Sequence, residues 1–140
     1  MTKKIEYLIF FLIFILFSSC SFDNKSRIWT GDEKELLSLF DRILKNNKFE
    51  KEVRNLIIFK KALFQSNSVS EIELLETVNP LINTETLWKP HALLLLGDYF
   101  VSKREYLKAK EFYIQILALK NLHKELYEQA RSQLMLITNG

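Results

Sequence analysis

Six blocks of apolar residues recurring at spacings of three and four constrain this chain more than any other feature. Leu36, Leu37, Phe40, Ile43 and Leu44 make the first block, and Val53, Leu56, Ile57 and Leu63 the second. Leu74, Leu75, Val78, Leu81 and Ile82 make the third, and Leu93, Leu96, Gly97 and Phe100 the fourth. Ala109, Phe112, Tyr113, Ile116 and Leu117 make the fifth; Leu126, Tyr127, Ala130, Leu134 and Ile137 close the series. Such spacing places each set on one face of a helix. No stretch alternates with a period of two for long enough to read as a strand. Three Gly and two Pro in 140 residues also leave little of the turn chemistry that β-hairpins use. The expected fold class is all-α, about six helices joined by short loops and therefore packed as antiparallel hairpins.

Punctuation residues place the helix ends. Thr30 and Glu33 fit a capping box for the first helix, and Ser70 with Glu73 fits one for the third. Asn46-Asn47 closes the first helix, and the second runs from about Phe49 to Gln65. Ile58 and Phe59 add apolar surface there, so the second helix is expected to be flanked on more than one side. Pro80 predicts that the third helix kinks or stops near Val78. Pro90 suits the first turn of the fourth, where its missing N–H is no loss. The fifth spans about Tyr106 to Lys120 and the sixth about His123 to Thr138.

The first twenty residues read differently. Lys3 and Lys4 precede an unbroken run of eleven apolar residues, Tyr7 to Phe17, and Ser18-Ser19-Cys20 follows. A basic start, a short apolar stretch and small residues describe a secretory signal peptide. The run is well short of the ~20 residues that cross a bilayer as a helix. Leu16-Phe17-Ser18-Ser19-Cys20 resembles a bacterial lipobox, departing from it at Phe17, where an aliphatic residue is commoner. That resemblance implies lipidation at Cys20, a signal peptide over 1–19, a lipidated tether over 20–29 and a helical domain over 30–140. It further implies palmitate on the chain and a site in the cell envelope, facing the periplasm. Ser21 stands where an Asp would retain such a lipoprotein at the inner membrane, which favours the outer membrane. Two or three acyl chains, each contributing ~0.8 kcal/mol per buried CH₂, hold a protein stably on a bilayer. The competing reading is an uncleaved signal anchor in which Cys20 is a spectator.

Helices four and five carry a further pattern. From Pro90 to His123, Leu96-Gly97, Phe100, Ala109 and Tyr113 fall at offsets resembling a tetratricopeptide repeat (TPR), a 34-residue helical hairpin. Tyr127, Ala130 and Leu134 suit a further first helix, although Arg131 replaces the small residue. Phe59 and Ala62 begin a degenerate repeat over 55–89. The resemblance implies a short TPR-like α-solenoid with 90–123 as its best repeat and the terminal helices as caps. More narrowly, Trp88 to Tyr99 and Tyr106 to Tyr113 resemble the periplasmic helical domain of the ancillary SecYEG translocon subunit (YfgM-like) family. Members of that family help hand exported chains to chaperones, but they use a transmembrane anchor where this chain has a lipobox. The repeat-bearing lipoprotein of the outer-membrane β-barrel assembly machine is a second resemblance with more repeats.

Chemistry is scarce. The chain has no HExxH, GxSxG, GxxxxGK[ST] or CxxC motif. His91 and His123 lie one repeat apart, each near a helix start; with Asp98 or Glu125 they would make a sparse metal site, and solvated histidines are the simpler reading. No cofactor and no metal are expected. A formal charge of +3 gives no basic field for nucleic acid. Lys103, Arg104, Lys108 and Lys110 form a small basic cluster, read as a solvated turn or as a contact for anionic lipid. The expected function is non-catalytic binding of a protein or peptide partner. A lipid-anchored envelope hydrolase, the alternative, requires a nucleophile–base pair that the sequence does not supply. The TPR resemblance implies a concave groove formed by His91, Leu94, Asp98 and Val101 on helix four, with Glu125, Glu128, Ser132 and Met135 on helix six.

Overall fold

A computed structural model describes residues 32–139. The signal peptide, the tether with Cys20, and Thr30 of the first capping box lie outside the described residues. Among those described there are six helices and no strand: α1 Glu33–Asn46, α2 Lys51–Gln65, α3 Glu71–Ile82, α4 Lys89–Ser102, α5 Tyr106–Leu117 and α6 Lys124–Asn139.

Local chemistry sets the ends. The cap of α1 is Asp32, whose carboxylate accepts from the Lys34 amide at 3.0 Å, so the helix starts two residues later than a Thr30 cap would place it. Ser70 caps α3 as expected, its hydroxyl accepting from the Glu73 amide. Pro80 does not stop that helix at Val78. It sits in the final turn, where only the last of the i→i−4 bonds are affected, and α3 continues to Ile82. Pro90 occupies the first turn of α4.

Each helix packs on the next in sequence; α2 also meets α4, and α4 also meets α6. The core gathers on α4, which buries Ala92, Leu93, Leu94, Leu96, Gly97, Tyr99 and Phe100. Leu74, Val78 and Leu81 of α3, Ala109, Tyr113 and Ile116 of α5, Ala62 of α2 and Ala130 of α6 complete it. Between α4 and α5 the Phe100 and Phe112 rings stack at 5.5 Å, and the Tyr113 ring fills the space over Gly97.

Two helices differ from the sequence reading. On α2, Val53 and Leu63 are 42% and 45% exposed, while Asn55, Ala62 and Gln65 are buried. The helix lies between α1 on one side and α3 and α4 on the other. Its inward stripe therefore runs through Asn55, Ile58, Phe59, Ala62 and Gln65, with two amides taking places that hydrophobicity alone would give to Val and Leu. On α6, Tyr127 is exposed and Ala130 is the one buried residue. At the other end α1 touches α2 alone and buries no residue. Its attachments are a Phe40–Phe64 ring contact, a Lys61–Asp41 ion pair and the Arg54 guanidinium donating to the Leu44 carbonyl.

Candidate functional site

The eight groove residues separate into two groups. On α4, Leu94 is buried at 9% exposure, and His91 and Val101 are half-buried. His91 packs in an aromatic cluster with Phe59 of α2 and Trp88, at ring separations of 5.9 and 5.5 Å. The Trp88 indole N–H donates to the Glu52 carbonyl, which fixes the cluster to α2. Asp98 is exposed, but its carboxylate accepts from the Tyr113 hydroxyl at 2.6 Å. The α4 half of the groove is thus largely consumed by packing, His91 against Phe59 of α2 and Asp98 against Tyr113 of α5. A buried Leu94 corrects the expectation of a binding position there.

On α6 the outcome is the reverse. Glu125, Glu128, Ser132 and Met135 are all exposed, and their spacing of three and four places them on one face. Met135 is 49% and the adjoining Leu136 67% exposed. The face is acidic at the start of the helix and apolar near its end. The free carboxylates suit cationic or amide-bearing groups, and the apolar end supplies contact area.

A second feature lies where the α3–α4 and α5–α6 connections meet. A cleft of about 490 Å³ is lined there by both histidines, His91 and His123, together with Thr86, Lys89, Lys120 and Leu122 among others. Asn121, in the left-handed region at φ 57°, shapes the α5–α6 connection. The cleft's loop residues carry no periodicity, so the sequence reading missed them. The signal it did hold was two helix starts, each beside a histidine. The described residues contain no group of three or more His, Cys, Asp or Glu that could hold a metal ion.

The basic cluster at the α4–α5 turn is partly neutralised. Lys108 bonds both oxygens of Glu71 at 2.8 and 2.9 Å and pairs with Glu105 at 2.7 Å, and its ammonium lies over the Phe100 ring. The hydrogen bonds to Glu105 and Glu71 raise the Lys108 pKa above its ordinary value. This lysine ties α5 to the start of α3. Among the described residues no helix is long and apolar enough to cross a membrane. Comparison with models of protein families, with curated proteins and with solved structures finds no match.

Proposed function

We propose that this chain is a non-catalytic, lipid-anchored envelope protein whose TPR-like helical domain binds a protein or peptide partner, acting as an adaptor in protein export or envelope assembly. Cys20 carries the anchor in this reading, and the domain faces the periplasm from the outer membrane. The observation that carries the binding role is the α6 face, where Glu128, Ser132 and Met135 stand exposed on one side of a helix that buries a single residue. The helix pairings support the short solenoid: α2 meets α4 and α4 meets α6, while α3 and α5 do not meet. First helices ranked side by side are what stacked hairpins require.

The test is a crosslinking capture from membranes with Glu128→Lys and Met135→Gln combined. Both positions are exposed and both new residues favour helix, so each substitution should change stability by no more than about ±0.5 kcal/mol. Recovery of specific partners should fall sharply relative to the unsubstituted chain. Capture of the same partners at the same yield would refute binding at this face.

A further inference from the structure

Helix α1 is amphipathic, yet it is the one described helix that buries no residue. Its contacts with α2 come from one side: the Phe40 ring meets Phe64, Asp41 pairs with Lys61, and the Leu44 carbonyl accepts from Arg54. At 3.6 residues per turn, Leu36, Leu39 and Ile43 then fall on the adjoining side, turned from α2. Leu39 is 37% exposed, and Leu36 and Ile43 are only half-buried. A shallow groove of about 540 Å³ runs beside them along Phe40, Leu63 and Phe64. Leu36, Leu39, Ile43 and Asn46 recur at alternating spacings of three and four, the seam of a helix pair. Glu35 and Arg42, seven residues apart, flank that seam; both are exposed, and neither has an ion-pair partner among the described residues.

Charge along the seam decides what covers it. The free acid lies toward the start of α1 and the free base toward its end. A second α1 laid antiparallel across Leu39 sets each Glu35 beside the other copy's Arg42, and it also opposes the two helix dipoles. A parallel copy would align acid with acid and base with base. We propose that α1 is a self-association face, through which two copies of this chain pair antiparallel about a twofold axis at Leu39. Leu36 of one copy packs near Ile43 of the other, and Leu39 meets Leu39. Two Glu35–Arg42 pairs related by the axis close one rim, and Leu63 of α2 adds apolar area at the other. Each favourable contact occurs twice, as an isologous interface requires. The pairing rests on α1 and α2 alone, independent of the anchor and of the α6 face.

Sedimentation of the full chain in detergent tests this. The unsubstituted chain should be a dimer that dissociates on dilution. Glu35→Arg alone and Arg42→Glu alone set like charges against each other across the axis. Each should raise the dissociation constant at least about fivefold. The two reversals combined restore opposite charges and should return the constant to within about twofold of its starting value. A second measurement reports on the seam itself. With Cys20 replaced by Ser, Leu39→Cys carries the chain's only thiol and, lying on the axis, should form a disulfide-linked dimer under mild oxidant. Ser38→Cys, off the seam, should not. Positions 35, 38, 39 and 42 are all exposed, and circular dichroism checks that helicity is kept. A monomer at every concentration would overturn the proposal and leave the seam to a foreign helix or a lipid. A dimer indifferent to either single reversal, or equal crosslinking at positions 38 and 39, would overturn it as well.

Discussion

Gly97 is where α4 and α5 approach most closely. A methyl group built there would lie 2.5 Å from Cε1 of the Tyr113 ring, closer than any real contact allows. The neighbour that needs a residue without a side chain here is the Tyr113 ring, sixteen residues on. Gly97→Val must displace a fully buried Tyr113, an overpacking cost of ~1–3 kcal/mol. Thermal unfolding should shift down by at least about 4 °C, given roughly 4–8 °C per kcal/mol in a domain of this size. Tyr113 also makes stability depend on alkaline pH. Burial first, and the hydrogen bond to Asp98 second, hold its phenol above the ordinary tyrosine range. A phenol whose folded pKa exceeds its unfolded value of ~10 contributes fully below that value. The contribution is lost as pH climbs from there toward the folded pKa. Denaturant unfolding between pH 8 and 11 should therefore show stability falling above about pH 10, and falling less steeply in Tyr113→Phe. The pair was not legible in the sequence, because Asp98 and Tyr113 sit on different helices and each reads alone as a surface acid and a core aromatic.

At the level of elements, the α4–α5 turn stores strain. The Glu105 amide donates to the Phe100 carbonyl and the Arg104 amide to the Val101 carbonyl, the two bonds of a Schellman motif. That motif requires a left-handed residue after the helix, and Arg104 fills the position at φ 62°. A side chain there costs ~1–2 kcal/mol, against ~0.4–1 kcal/mol of added unfolded-state freedom for glycine. Arg104→Gly should raise the melting temperature by a few degrees, and Arg104→Val should lower it; calorimetry of the three chains checks both. Helix existence was legible here, since α3, α4 and α5 bury the residues their periodicity selects. The face of α2 was not. Leu56, Ile57, Ile58 and Phe59 run consecutively, so apolar surface wraps the helix and cannot say which side meets the core. Buried Asn55 and Gln65 then reverse the usual rule, and only tertiary neighbours reveal that.

For the molecule as a whole, the all-α class and the six helices were legible in the sequence, and the packing around the groove positions was not. Those positions came from repeat register. Register fixes which side of a helix a residue occupies, not whether a neighbouring helix covers that side; on α4, Phe59 of α2 packs on His91 and Tyr113 of α5 engages Asp98, whereas the four α6 positions are exposed among the described residues. The anchoring half of the proposed function rests on residues outside 32–139 and has its own test. Cys20→Ser should abolish palmitate labelling and leave the precursor uncleaved at this site, read by metabolic labelling and gel mobility. Normal processing and membrane retention of that variant would refute the lipoprotein reading.

The pattern of helix contacts has a consequence for how the chain reaches this state. Every packed pair is adjacent or next-but-one in order, so few residues separate surfaces that must meet. Little chain entropy is lost before a contact forms, which is the condition for rapid folding. Assembly can start at the α4–α5 hairpin and spread toward either end. The ends are then energetically separate: fraying of α1 leaves α6 in place, whereas a disturbance in α4 reaches four other helices at once.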